Sequence, residues 1–124
     1  MAFTHSWKSK ELHVKFINKF TSQDLILSNS KMVGNTEFGN IKFLIVDFSD
    51  VTELAVDDVD VSISAKFAID TDHYNKNLRV ASICDNEALA TLIEQFIEKV
   101  IFEVPNAQHK LFSNISEAKN WLTS

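Results

Sequence analysis

The eight residues from Ile41 to Phe48, IKFLIVDF, form a near-continuous apolar run with polar residues on either side. A strand with one face in water alternates apolar and polar side chains. A run that is apolar at nearly every position suits a central strand covered on both faces, which requires helices packed on a sheet. The remaining segments have to be placed around that strand.

Phe3, His5 and Trp7 alternate with polar residues, and Leu12, Val14 and Phe16 do so again after Ser9-Lys10-Glu11. This period of two predicts an antiparallel hairpin. Thr21-Ser-Gln-Asp24 has the T-x-x-D form of a helix start, and Leu25, Ser28, Asn29 and Met32 follow at helical spacing on a weakly apolar face. Gly34 to Asn40 reads as a loop. From about Asp57 to Tyr74, Val56, Val59, Ile63 and Phe67 lie on one stripe, widened by Val61, Ala65 and Ala68, and predict a helix that packs on the sheet through that stripe.

Leu78 to Cys84 reads as a second largely buried strand. Leu89, Leu92, Ile93, Phe96, Ile97 and Val100 form the cleanest helical stripe of the chain, with Asp85 or Asn86 as N-cap. After Pro105-Asn106 come a short strand around His109 to Phe112 and a capping box, Asn114-Ile-Ser-Glu117, ahead of a helix that turns Ile115, Ala118, Trp121 and Leu122 inward. The order β-β-α-β-α-β-α-β-α predicts an α/β fold: a mixed, mostly parallel sheet of about five strands, with the hairpin as its antiparallel edge and about four packed helices.

A chain of 124 residues with 45% hydrophobic content fits one domain spanning residues 1–124, with a core that needs no disulfide or metal. Two Gly and one Pro leave no room for a long flexible linker. The lone cysteine, Cys84, rules out an internal disulfide and suits a reducing compartment. The first residues have no charged stretch leading into an apolar signal core, and no run approaches the roughly 20 apolar residues of a membrane span. The expectation is a soluble, cytoplasmic protein. A net charge of -5, from 17 acidic and 12 basic residues, argues against nucleic-acid binding, which needs a basic stripe. Lys8, Lys10, Lys15 and Lys19, spread over the hairpin, read as a solvated face.

The stretch LIVDFSDVTELAVDDVDVS, from Leu44 to Ser62, holds six carboxylates and no basic residue. Asp47, Asp50, Glu53, Asp57 and Asp58 have the oxygen chemistry of a calcium loop, but the spacing fails. Starting at Asp47, Thr52 stands where glycine must make the sharp turn, and starting at Asp50, Ala55 does. Asp57, Asp58 and Asp60 instead fit the first turn of a helix, where each gains about 0.3–1 kcal/mol from the partial positive charge there. No metal site is expected. His5, His13, His73 and His109 fall on four different elements without an i, i+4 pair, and Cys84 at a strand end reads as a small core residue. The glycines of Gly34-Asn-Thr-Glu-Phe-Gly39 precede a strand, and Asn40 stands where a phosphate-binding loop needs lysine. No catalytic constellation and no cofactor motif emerges.

Four features together resemble the SpoIIAA-like, or STAS-type, proteins related to anti-anti-sigma factors: the element order, IKFLIVDFSDVTEL running into AVDDVDVSISAKFA, the strand RVASIC, and the ending KLFSNISEAKNWL. The resemblance implies a non-catalytic regulatory module. In regulatory members the loop after this strand carries Asp-Ser-Ser/Thr-Gly at the helix start, and phosphorylation of the hydroxyl breaks a complex with a partner kinase. Here Val56-Asp57-Asp58-Val59 stands in that place, so Asp57 can take the family's aspartate position while the phosphorylatable residue is missing. The expected partner-binding residues are Asp57, Asp58, Asp60 and Ser62, the last one turn into the helix and expected to be buried or bridging, and they would engage a protein partner or a second copy of the chain. STAS-like folds also resemble lipid-binding CRAL-TRIO domains. The alternative is therefore a carrier or sensor of a small apolar, lipid-like ligand, with Phe38, Phe67, Phe96 and Phe102 among the ten phenylalanines that would line its cavity.

Overall fold

The computed structural model describes residues 2–75 and 77–124, apart from the side chains of Asp58, His73 and Tyr74. Among the described residues the strands are β1 (Phe3–Lys8), β2 (Glu11–Thr21), β3 (Phe43–Ala55), β4 (Arg79–Ile83) and β5 (Gln108–Phe112). The helices are α1 (Ser22–Val33), α2 (Asp58–Tyr74), α3 (Glu87–Glu103) and α4 (Ile115–Leu122), with a short 3-10 turn at Phe38–Asn40. The sheet order is β1-β2-β3-β4-β5. β1 pairs antiparallel with β2, and every other pair is parallel. This is the mixed five-stranded sheet that the alternation predicts.

Register assigns the two faces, because paired residues point the same way. Val14, Val46 and Ser82 follow one another across β2, β3 and β4, and Val80 pairs with His109 on β5. This face carries the main core, where Leu12, Phe16, Leu44, Phe48 and Val80 meet Met32 of α1, Phe67 of α2 and Leu89 and Ile93 of α3. On the opposite face Ile45, Ala81 and Ile83 pack against Ala118 and Leu122 of α4. β3 is thus buried from both sides, as its composition requires.

Arg79 holds α4 in place. Its Nη1 donates to the carbonyls of Trp121, Leu122 and Ser124 at 2.9, 3.3 and 3.1 Å, and its Nε donates to Gln108 Oε1 at 3.0 Å. A cation is thereby set against the carbonyl end of the helix, where the backbone lacks partners and carries partial negative charge. Just before β4, Asn75 Nδ2 donates to the carbonyls of Phe38 and Ile41 at 3.1 and 3.0 Å and ties the loop before β3 to the end of α2.

The structure departs from the sequence reading in three places. β3 does not stop at Phe48 but continues to Ala55, because β2 is long enough to pair with it: Ile17 meets Asp50 and Thr21 meets Ala55 across two register shifts. Asn18, between those shifts, takes a left-handed φ of 60°, a conformation asparagine tolerates better than most residues. On α2, Val61, Ala65 and Ala68 are buried, whereas Val59 and Ile63 are 65% and 55% exposed. Apolar residues wrap most of this helix, and the face that wins is the one whose alanines let α3 approach closely enough to bury Val100. Ile115 of α4 is 37% exposed and points away from the packing made by Ala118 and Leu122.

Candidate functional site

Folding supplies the cations that the acidic stretch lacks in sequence. Lys15 and Lys19 of β2 lie 2.8 and 3.8 Å from Asp50 and Glu53 of β3. Asp47 is buried and accepts from the Ser49 hydroxyl at 2.6 Å and the Ser49 N–H at 2.9 Å, with His13 Nε2 at 3.5 Å. Burial pushes the Asp47 carboxyl up, but Ser49, His13 and Lys15 together outweigh it and hold the group below the usual carboxylate range. Among the described residues, no three His, Cys, Asp or Glu side chains converge as metal ligands. His5 bonds Ser28, His13 sits beside Asp47, and His109 bonds Asp72, while the His73 side chain is outside the described set.

The rest of the acidic stretch builds the start of α2. Asp57 is the N-cap, with its Oδ1 accepting from the N–H groups of Val59 and Asp60 at 3.0 Å each, and Asp60 Oδ2 accepts from the Asp57 N–H at 3.1 Å. The two carboxylates thus satisfy backbone donors reciprocally, as a capping box does. The Asp58 side chain lies outside the described residues. Ser62 is exposed rather than buried. Val59, Ser62, Ile63 and Lys66 are spaced along one face of α2, and Ser62 and Lys66 border an open groove between α2 and α3 whose rim includes Phe102. Phe102 is 83% exposed. Two residues that the sequence assigns to different roles, Ser62 and Phe102, therefore line one groove.

Beneath α1, α2 and α3 the main core is not filled. A cavity of about 130 Å³ is lined by Phe16, Phe20, Phe48, Phe67 and Phe96, by Met32, Leu44, Leu78 and Leu89, and by a few polar groups including Asp60, Ser82 and His109. Of the four phenylalanines expected at a cavity, Phe67 and Phe96 line it. Phe38 is fully buried elsewhere in the core and Phe102 is on the surface. Phe16, Phe20 and Phe48 form an aromatic cluster with ring centroids 4.8–5.4 Å apart, and sequence reasoning missed them as a wall. The signal was present, since Phe16 and Phe48 continue the inward alternation of Leu12-Val14 and Leu44-Val46.

The search of solved structures decides the architecture. The anti-sigma factor antagonist SpoIIAA in its unphosphorylated form superposes with a TM-score of 0.63 at 10% identity, covering 99% of both chains. The chain has a SpoIIAA-like fold. An uncharacterised protein of SpoIIAA-like fold from Shewanella loihica PV-4 also matches, at 20% identity, TM-score 0.48, and 98% and 92% coverage of this chain and that one. No family model matches the sequence, and no curated protein matches it. At such identities the likeness establishes the SpoIIAA-like fold and nothing finer. No helix among the described residues is long and apolar enough to cross a membrane.

Proposed function

We propose that the chain is a non-catalytic interaction module that engages a protein partner through the surface beginning at the Asp57 cap and running along α2 to the groove beside Phe102. One observation carries the reading: Val59, Ile63 and Phe102 are exposed at 65%, 55% and 83%, the first two in the opening turns of the helix that the sequence singles out and the third on the groove beside that helix. Large apolar side chains ringed by charge are typical of interfaces, where an exposed aromatic residue is a frequent anchor. The capping box keeps negative charge at the rim of this surface without any phosphate, so the surface would act in a state fixed by the sequence rather than switched by a kinase. SpoIIAA is itself an anti-sigma factor antagonist. That name supports a regulatory partner.

The test replaces Asp57, Asp58 and Asp60 together with asparagine. Folding is expected to survive and recovery of a partner in pull-downs to fall, while native mass spectrometry separates self-association from a different partner. Recovery equal to wild type would remove the acidic rim from the account. A second reading is favoured by the unfilled cavity: the chain takes up a small apolar molecule.

A further inference from the structure

We infer that the cavity beneath α2 holds a neutral, apolar molecule the size of a single ring, and turns away both long acyl chains and ligands that carry a carboxylate. The inference rests on the second reading above, that the cavity takes a small apolar molecule, and adds the limits of size and charge. Size comes first. An apolar cavity of about 150 Å³ holds benzene, so a cavity of about 130 Å³ has room for one ring and none for a long chain. Val46 shows that this space reaches down to the sheet. It lies mid-β3 on the face covered by helices, and its partners Val14 on β2 and Ser82 on β4 are buried, yet Val46 itself is only half-buried. Its uncovered surface therefore faces the cavity that it lines.

The walls set the second limit. Phenylalanine and aliphatic side chains make up most of the lining, and among the described residues that line it there is no lysine and no arginine. Several of its polar side chains are already engaged within the protein: Ser28 Oγ lies 2.8 Å from His5 Nε2, Thr71 Oγ1 donates to the Ala68 carbonyl at 2.9 Å, and His109 Nε2 lies 2.8 Å from Asp72 Oδ2. The lining includes one carboxylate, that of Asp60, whose Oδ2 accepts from the Asp57 N–H at 3.1 Å. An anionic ligand would therefore give up its water, find no cation in exchange and meet a charge of its own sign. A neutral apolar ligand gives up no hydrogen bond on entering and supplies the contacts that the walls lack. Fatty acids fail on both counts.

The experiment titrates the unaltered protein with toluene, benzoate and 1-dodecanol, followed by NMR, with through-space contacts between ligand protons and the Val46 methyl groups locating the site. Toluene is expected to bind and to show those contacts. Benzoate, the same ring with a charge in place of the methyl group, is expected to bind at least about a hundredfold more weakly, and dodecanol to show no contact with Val46. Benzoate binding at Val46 as tightly as toluene would overturn the limit of charge, and dodecanol contacts there would overturn the limit of size, each leaving the apolar-ligand reading standing. No contact at Val46 from any of the three would overturn that reading as well. Val46→Phe fills the same space with a side chain and should abolish toluene binding. Toluene held as tightly by the folded variant would overturn the inference, and if the variant does not fold, the Val46 contacts in the unaltered protein decide.

Discussion

Replacing Asp57 separates what its side chain does as a hydrogen-bond acceptor from what it does as a charge. In Asp57→Ala the N–H groups of Val59 and Asp60 lose the oxygen that accepts them at 3.0 Å each, while the backbone N–H of residue 57 keeps the Asp60 carboxylate as its acceptor. Loss of an N-cap acceptor costs about 0.5–2 kcal/mol, and loss of the charge at the helix start adds about 0.3 kcal/mol at an exposed site. Asp57→Ala is therefore expected to lose about 1–2 kcal/mol. Asp57→Asn keeps an oxygen in the same place and gives up only the charge, so it is expected to lose about 0.3 kcal/mol. Urea unfolding at pH 7 followed by circular dichroism measures both, and hydrogen exchange at the Val59 and Asp60 amides should quicken in the alanine variant alone. If asparagine is as damaging as alanine, charge rather than acceptance holds the helix start. The asparagine variants would then no longer test partner binding independently of folding.

Three further outcomes follow from the same geometry. Arg79→Ala should destabilise the protein by about 1–2 kcal/mol, because the last carbonyls of α4 lose a charged donor that is partly reachable by water, and Arg79→Lys should recover little since one ammonium cannot serve Gln108 and three carbonyls at once. Burial, aided by the Lys31 charge, pushes the His5 imidazole below its ordinary 6.5, so the unfolded chain binds the proton more readily than the folded one. Its contribution is present above pH 6.5 and is lost as pH falls from there through the folded value; unfolding measured against pH should show that loss, and His5→Gln should flatten it. Cys84 is buried, its thiol is pushed up by burial, and its Sγ–H faces the Asn86 carbonyl at 3.5 Å, so alkylation by iodoacetamide at pH 8 should be slow in the folded protein and become fast only in denaturant.

Local rules carried most of the architecture. Thr21, Asn86 and Asn114 each accept from the backbone N–H three residues on, at the helix starts the sequence marks. The two-sided burial of β3 follows from IKFLIVDF. What local pattern could not decide was competition between equivalent choices. Val59-Ile63 and Val61-Ala65-Ala68 are both good helical stripes, and only the approach of α3 selects between them. The extension of β3 to Ala55 depends on a partner strand more than thirty residues away and on a bulge at Asn18, neither of which leaves a mark in the acidic stretch itself.

The site divides the same way. A helix start at Asp57, Asp58 and Asp60 was legible, whereas the capping box between Asp57 and Asp60 is what the structure adds. The pairing of that stretch with Lys15 and Lys19, the meeting of His109 with Asp72, and the placing of Ser62 and Phe102 along one groove are consequences of topology. Periodicity carries no information about which strands and helices become neighbours.

The measurement that bears most directly on the interaction surface is photo-crosslinking in the cells that make the protein, with a photoreactive phenylalanine at position 63 and, as control, at position 116 on α4 across the sheet. Ile63 and Ser116 are both exposed, so either site can report a neighbour. Discrete adducts from position 63 and none from 116 are the expected result, and an adduct of twice the chain's mass would identify a second copy as the partner. Adducts equal from both positions, or absent from 63 while present at 116, would contradict the surface assigned to α2.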